Sequence, residues 1–293
     1  MTGYKDMTSN FFILGNPRSG TTLLRLMLNN HPSITVPPEA GFMMWLAERY
    51  ISENFLDDVV LDQFIRDLSK IRKLETWNLD MQQLQRFIKN SKKKNYQDVC
   101  WLVHQFYART RSKGRSVLGD KNNFYIDYLP RIKDLFPKAG VIYIVRDGRD
   151  VACSYIDLAT KKIDSIYAPR LPFEVSKIAK DWVSNNSLLI REMDENVALV
   201  KYEDLVTKPE QELMRLCCYL GLPYADQMLK YHIKNQVEQQ EPSEFMQWKA
   251  KTLEAPDANN VGKYQSLLTP EQIKEFNSIA GPVLKYFGYK DCW

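Results

Sequence analysis

Residues 11–28 read FFILGNPRSGTTLLRLML, and this stretch decides the fold. The apolar run over 11–15 predicts a buried strand, and the leucine-rich run over 21–30 predicts a helix. The loop between them contains a proline, an arginine and a glycine. A junction of this kind directs backbone N–H groups and the positive end of the helix dipole towards one place, which favours a phosphate group. The alternative is an ordinary helix that follows a strand, with Thr21 as its N-cap.

The same alternation of apolar runs and amphipathic stretches continues along the chain. It predicts an α/β fold, P-loop-like in its first unit, with a central parallel sheet flanked by helices. Strands are predicted over 11–15, 33–36, 116–119, 141–145 and 197–202. Helices are predicted over 21–30, 41–53, 57–71, 81–92, 97–111, 125–135, 149–159, 174–194, 209–220 and 270–287, with a polar, loop-like segment over 236–260. Because the sequence has neither an internal repeat nor a linker, we expect a single domain over 1–293 with a helical insertion around 41–113.

The composition is that of an ordinary globular protein. The 293 residues are 44% hydrophobic and 26% charged, which excludes disordered and fibrous classes. The formal net charge of +4 is too small to indicate a nucleic-acid partner by itself. The five cysteines lack the spacing of a zinc site or of a disulfide framework, and no apolar run is long enough to span a membrane. We therefore expect a cytoplasmic protein with no membrane span.

The first loop is also compared with the P-loop of nucleotide hydrolases. Gly15 and Gly20 have the P-loop spacing, but Thr21 stands where those proteins carry a lysine. Farther on, Arg146 stands where a magnesium-binding aspartate should directly follow the apolar run. A kinase-like phosphotransferase is therefore a weakened alternative.

A second strand-to-helix junction lies at residues 141–155, which read VIYIVRDGRDVACSY. An arginine at the carboxyl end of a strand forms charge-assisted hydrogen bonds to a phosphate, and a serine on the next helix adds another. Arg146 and Ser154 occupy these positions. Two such corners indicate a ligand with two separated anionic groups, bound at the carboxyl ends of the strands.

These two segments carry a resemblance to a known family. PRSGTTLLRLMLNNHP (17–32) resembles the 5′-phosphosulfate loop of sulfotransferases that use 3′-phosphoadenosine 5′-phosphosulfate (PAPS), most closely the tyrosylprotein and Golgi-type branch. VIYIVRDGRDVACSY resembles the 3′-phosphate motif of the same family. The resemblance implies transfer of the sulfuryl group of PAPS to an acceptor hydroxyl, with 3′,5′-adenosine bisphosphate (PAP) as product and no metal. The implied cofactor-binding residues are Arg18, Ser19, Gly20, Thr21, Thr22, Arg146, Ser154, Tyr202 and Lys263.

The resemblance also implies the catalytic groups. The histidine that cytosolic members use as a base is replaced here by Asn123, two residues after Lys121. The tyrosylprotein-type branch instead uses a glutamate, and Glu39 in VPPEAGF matches it. Lys121 matches the lysine that contacts the transferring oxygens, and Arg18 would stabilise the departing phosphate. The alternatives are a glutamate at a helix start for Glu39 and a surface lysine for Lys121.

A basic run over 91–115 bears on the acceptor. It holds seven basic residues against one acidic residue, a local charge of +6. Such a run could draw an acidic peptide or an anionic glycan to the cleft, although a solvated helix face is the commoner explanation. The other alternative is a non-enzymatic module that binds anions or nucleic acid through this run. We expect a hydroxyl-bearing acceptor and no nucleic acid, and nothing in the sequence distinguishes a tyrosine from a sugar or small-molecule hydroxyl.

Overall fold

The computed structural model describes residues 10–92, 95–112 and 117–290. In this part of the chain five parallel strands form one sheet in the order β2-β3-β1-β4-β5. Their bounds are β1 Asn10–Leu14, β2 Ile34–Thr35, β3 Val117–Lys121, β4 Gly140–Val145 and β5 Val197–Lys201. The predicted α/β fold with a central parallel sheet is confirmed.

The predicted strands agree with the observed ones to within two residues at most ends. β4 is buried at all six positions and β1 at four of its five, which is why both read as continuous apolar runs. Ser116, the first residue of the predicted third strand, lies outside the described residues. The fifth strand ends one residue earlier than predicted, because Tyr202 begins a helix.

Fifteen α-helices are described, with short 3₁₀ turns between some of them. They are α1 Thr21–Asn29, α2 Phe42–Trp45, α3 Ala47–Tyr50, α4 Asp58–Leu68, α5 Met81–Lys89, α6 Tyr96–Thr110, α7 Leu129–Leu135, α8 Gly148–Ala159, α9 Val175–Glu192, α10 Tyr202–Thr207, α11 Pro209–Tyr219, α12 Tyr231–Glu238, α13 Met246–Lys249, α14 Tyr264–Leu267 and α15 Pro270–Tyr286. The 3₁₀ turns are Leu74–Trp77, Asn123–Tyr128, Asp226–Lys230, Ser243–Phe245, Ala250–Leu253 and Ala258–Asn260.

Two predicted helices differ from the observed ones. The helix predicted over 41–53 is divided into α2 and α3. The helix predicted over 125–135 is a 3₁₀ turn up to Tyr128, and α7 begins only at Leu129. Pro130 in the first turn of α7 explains that start, since proline lacks an N–H group and is favoured in the first turn of a helix, where that group would have no partner.

The segment predicted as loop-like over 236–260 is instead largely helical. It contains the end of α12, the short helix α13 and three 3₁₀ turns. It is fixed to α1 by a buried ion pair between Arg25 and Glu241 at 2.6 Å, and Glu241 also pairs with Lys249 at 2.8 Å. The hydrophobic periodicity of these short turns is weak, so the sequence of this segment is typical of a loop. The buried ion pairs, which the sequence does not show, hold the segment in its helical structure.

Candidate active site

A cavity of about 720 Å³ lies at the carboxyl ends of the strands. Lys121 is the last residue of β3, Arg146 directly follows β4, and Tyr202 directly follows β5. This is where open α/β sheets bind their ligands. The cavity is lined by all but one of the predicted site residues: Arg18, Gly20, Thr21, Thr22, Glu39, Lys121, Arg146, Ser154, Tyr202 and Lys263.

The loop between β1 and α1 forms one wall of this cavity. Gly20 is the N-cap of α1 in a left-handed conformation with φ 96°, and no side chain caps the first turn. Thr21 is therefore the first helical residue and not the cap. A Cβ atom on Gly20 would lie 2.5 Å from the ring of Tyr202, so only glycine fits there. Ser19 is fully buried and is absent from the cavity lining, so it is the one predicted site residue that the structure does not place at the cavity.

Arg18 connects this loop to the second motif. Its Nε donates a hydrogen bond to Oγ of Ser154 at 3.0 Å, and Nη1 donates to the carbonyl oxygen of Trp248 at 3.0 Å. The backbone of Arg18 is left-handed with φ 68°, a conformation that costs a non-glycine residue on the order of 1–3 kcal/mol. Burial, followed by the charge of Arg146, lowers the pKa of Arg18. Strain and cationic crowding at one residue are typical of a site that binds an anion.

Arg146 lies beside Arg18 and is buried. Its guanidinium carbon lies 4.2 Å from the centroid of the Tyr202 ring, and Nη1 and Nη2 donate to the carbonyl oxygens of Arg18 and Asn260 at 3.2 and 2.7 Å. Nε is buried without a hydrogen-bond partner among the described residues. An unpaired buried donor is costly, so it marks a position that an acceptor atom of a ligand would fill.

Lys263 reaches the same corner from the loop before α14. Asp150, which is fully buried on α8, accepts hydrogen bonds from the backbone N–H groups of Gly262 and Tyr264 at 2.8 and 3.0 Å. These two residues flank Lys263, so the carboxylate fixes the backbone from which the lysine projects. Burial and then the charge of Arg146 lower the pKa of Lys263. The corner therefore gathers three cations, Arg18, Arg146 and Lys263, around Ser154.

Glu39 lies at the other end of the cavity, between two lysines. It follows Pro37 and Pro38 after β2 and is buried. Its Oε1 accepts a short hydrogen bond from Nζ of Lys121, and its Oε2 pairs with Nζ of Lys73 at 2.8 Å. Asn123, in the place of the family histidine, also lines the cavity.

Glu39 and Lys121 both have shifted pKa values. Burial alone would raise the pKa of Glu39, but the charges of Lys121, Lys73 and Lys249 together hold it well below its usual range. Burial lowers the pKa of Lys121 to about 8, although Glu39 acts in the opposite direction. Glu39 is therefore ionised, and Lys121 is a lysine that titrates close to neutral pH.

Several residues at the cavity were missed by the sequence analysis. Lys73 is the clearest, since it contacts Glu39 directly and has a left-handed backbone with φ 72°. Trp248, Lys249 and Asn260 belong to the segment that was predicted as a loop. A partly buried lysine in a loop between helices gives no sequence signal that distinguishes it from a surface lysine.

One arm of the cavity is aromatic and cationic. This part of the lining, here called the aromatic arm, consists of Trp45, Arg72, Phe124, Ile166, Tyr167, Arg170 and Leu171. The guanidinium of Arg72 lies 5.4 Å from the centroid of the Tyr167 ring.

The basic run over 91–115 is only partly described by the structure. Outside the described residues lie Lys93, Lys94, Lys113 and Arg115. The cavity lining does not include the other three basic residues, Lys92, Arg109 and Arg111. The basic residues of the run that the structure describes therefore contribute no charge to the cavity lining.

Within the described ranges, no helix is both long enough and apolar enough to cross a membrane. In the same ranges, no group of three or more histidine, cysteine, aspartate or glutamate side chains is placed to hold a metal ion.

The chain matches a known protein family. A family model described as "Sulfotransferase family" matches residues 10–226, which is well over half of the chain and includes Arg18, Glu39, Lys121, Arg146 and Ser154. The chain therefore belongs to the sulfotransferase family, and the family predicted from the two motifs is confirmed.

Two curated relatives show how far the similarity extends. The nodulation protein NoeE of Sinorhizobium fredii is 26% identical over 95% of this chain and 65% of its own length. A putative protein-tyrosine sulfotransferase of Caenorhabditis briggsae is 26% identical over 77% of this chain and 71% of its own length. The chain thus spans about two thirds of the length of these relatives.

Solved structures support the fold. The sulfotransferase domain from the curacin biosynthetic pathway superposes with a TM-score of 0.59 at 24% identity, covering 94% of this chain and 96% of that one. Mouse sulfotransferase SULT7A1 complexed with PAP gives a TM-score of 0.50 at 16% identity, covering 98% and 90%.

Proposed function

We propose that this protein transfers the sulfuryl group of PAPS to an acceptor hydroxyl and releases PAP. The observation that carries the proposal is the meeting, in one cavity, of two arginine corners and a buried glutamate paired with a lysine. The two arginine corners suit a donor with two separated anionic groups. The paired Glu39 and Lys121 suit transfer of a group from that donor to an acceptor hydroxyl.

In the proposed complex the donor occupies the part of the cavity between the loop that precedes α1 and the start of α8. Its 5′-phosphosulfate contacts Arg18 and the backbone at the start of α1, and its 3′-phosphate contacts Arg146, Ser154 and Lys263. The adenine lies near Tyr202. The unpaired Nε of Arg146 supports this placement, because a phosphate oxygen would supply the acceptor that this buried donor lacks. The likeness to a sulfotransferase that was solved with PAP supports the same donor.

The transfer step uses the residues at the other end of the cavity. Glu39 accepts the proton of the acceptor hydroxyl as the acceptor oxygen forms a bond to sulfur. The bond between sulfur and the bridging oxygen breaks in line, and its electron pair stays on the 5′-phosphate. Lys121 and Arg18 stabilise the charge that develops on that phosphate.

For the acceptor, we propose only its chemical class. A hydroxyl on an acidic peptide or an anionic glycan would suit the aromatic arm, where Arg72 and Arg170 add positive charge to an aromatic lining. Tyrosine is the acceptor named for one of the relatives. The cytoplasmic location, the absence of a nucleic-acid partner and the single domain with a helical insertion around 41–113 stay predictions.

A kinase-like phosphotransferase is the second candidate, and the geometry disfavours it. Asp147, the acidic residue nearest the end of β4, accepts hydrogen bonds from Nε and Nη2 of Arg149 at 3.0 and 2.8 Å. A carboxylate that is engaged in this way is a poor ligand for the Mg²⁺ of ATP.

Calorimetric titration with PAP, beside ATP and Mg²⁺, separates the two candidates. We expect binding of PAP and at least 100-fold weaker binding of ATP, because a γ-phosphate cannot replace a 3′-phosphate at Arg146. Sulfation of a hydroxyl acceptor by ³⁵S-labelled PAPS is the direct assay. Tight Mg²⁺-dependent ATP binding with no binding of PAP would contradict the proposal.

A further inference from the structure

Glu39 faces a difficulty if it acts as a base, because each of its oxygens is paired with an ammonium group that stabilises the negative charge. Lys121 pairs with Oε1, and Lys73 pairs with Oε2 at 2.8 Å. Each oxygen retains a second lone pair for an acceptor hydroxyl, but the two cations lower the basicity of the carboxylate. Release of one ammonium before transfer would therefore make Glu39 a better base, and the structure distinguishes the two lysines.

Lys121 lies on the donor side of Glu39. It is the last residue of β3 and is paired in register with Ile13 of β1, two residues before Gly15 opens the phosphate loop. Its side chain is buried, with 2% exposed. A bound donor would therefore place its negative phosphosulfate oxygens next to this ammonium, and these oxygens compete with Oε1 for it.

Lys73 approaches Glu39 from the opposite side. It lies in the loop that follows α4, and its Nζ is 5.5 Å from the centroids of both the Phe124 and the Phe245 rings. Two aromatic rings and a carboxylate thus enclose this ammonium. None of the contacts described for Lys73 is to a residue of the two phosphate corners. We therefore expect a bound donor to compete with Glu39 for Lys121 and not for Lys73.

We propose that Lys73 is a positioning residue, which keeps Oε2 of Glu39 paired while Lys121 moves to the donor and frees Oε1 for the acceptor hydroxyl. This inference rests on the proposed function, since it assumes PAPS as the donor. The left-handed backbone of Lys73 supports such a role, because strained conformations are retained where the surrounding structure requires them.

The protonation of Glu39 provides the readout. The charged groups around it are Lys121, Lys73 and Lys249, which favour the carboxylate, and Asp120, which interacts unfavourably with it. When a donor draws Lys121 away, the wild type retains the Lys73 pair and Glu39 stays ionised. Without Lys73 the buried carboxylate loses both contacts, so its pKa rises and it takes up a proton.

The experiment is calorimetric titration with PAPS at pH 7 in buffers of different ionisation enthalpy, which counts the protons taken up on binding. We expect K73M to take up about 0.5–1 proton more per PAPS than the wild type. The extra proton should disappear in the double variant E39Q/K73M, which assigns it to Glu39, and K73R should behave as the wild type. K70M is the matched control, because Lys70 lies in the same region with 74% of its side chain exposed and pairs only with Asp67 among the contacts described for it.

The outcomes separate this inference from the proposed function. If the wild type binds neither PAPS nor PAP, the proposed function fails. If the wild type and K73M both bind PAPS and take up equal numbers of protons, the role of Lys73 is wrong. Loss of PAPS binding in K73M, with binding retained in K73R, would place Lys73 in the donor site and would also overturn the inference. If K73M does not fold, K73Q carries the same test.

Discussion

Nε of Arg18 donates a hydrogen bond to Oγ of Ser154 at 3.0 Å, and this bond joins two motifs that lie 136 residues apart. The sequence presents them as separate corners for two phosphate groups. In the structure they share a wall of one cavity, with Arg146 bonded to the carbonyl oxygen of Arg18. A donor that binds here must exchange these internal hydrogen bonds for bonds to its phosphates, so each corner affects the affinity of the other.

The first prediction concerns recognition of the 3′-phosphate. We expect R146A to weaken PAP binding by about 2–5 kcal/mol, the cost of removing one partner of a buried charge pair. This corresponds to roughly 30- to 5,000-fold in Kd. Binding of adenosine 5′-phosphosulfate, which lacks the 3′-phosphate, should change much less in the same variant. Calorimetry with both ligands measures the difference, and equal losses would mean that Arg146 supports the fold of the loop and not the 3′-phosphate.

How much of the fold the sequence could predict depends on how local the signal is. β4 is buried along its whole length, so its apolar run was readable without any knowledge of its neighbours. The segment over 236–260 was misread because its order depends on Glu241, which pairs with Arg25 from a distant helix. Contacts between residues so far apart in the chain leave no periodic pattern.

The candidate site shows the same limit. Glu39 and Lys121 were predicted because the resemblance to the family implies them, and both lie at or just after a strand of the sheet. Lys73 was not, because its approach to Glu39 depends on how the helices between β2 and β3 pack, and a loop lysine is ordinarily exposed. The sequence therefore predicted the residues that the sheet positions and missed the residue that the helical segment positions.

The second prediction concerns the pH dependence of donor binding. The pKa of Lys121 is about 8 in the free protein, so the ammonium loses its proton as the pH rises through this value. A bound donor stabilises the charged form, so PAP affinity should be constant below about pH 7.5 and should fall up to tenfold per pH unit above pH 8. K121R should lack most of this fall, since arginine stays charged. An unchanged alkaline fall in K121R would assign it to another group, such as Lys263.

The third prediction concerns stability. Glu241 is buried between Arg25 and Lys249 at 2.6 and 2.8 Å. E241Q keeps the shape but leaves two buried cations without a counter-charge, so we expect a loss of about 3–5 kcal/mol in the free energy of unfolding. K249M should cost roughly half of that or less, because Glu241 retains Arg25. Urea unfolding measures both variants, and a larger loss in K249M than in E241Q would contradict this account of the pair.

The last prediction tests Glu39 as the base. E39Q keeps the size of the side chain but removes its basicity, so we expect sulfation to slow by roughly 100- to 10,000-fold, the usual contribution of a general base. PAP affinity should be retained or should rise, because Lys121 no longer has a carboxylate that competes with the donor. E48Q is the matched control, since Glu48 lies nine residues along the chain with 85% of its side chain exposed. Single-turnover transfer from ³⁵S-labelled PAPS, to the acceptor that the wild type sulfates and to water, measures the rate. Near-normal transfer by E39Q with PAP binding intact would mean that another group removes the proton, or that the acceptor is acidic enough to react without a base.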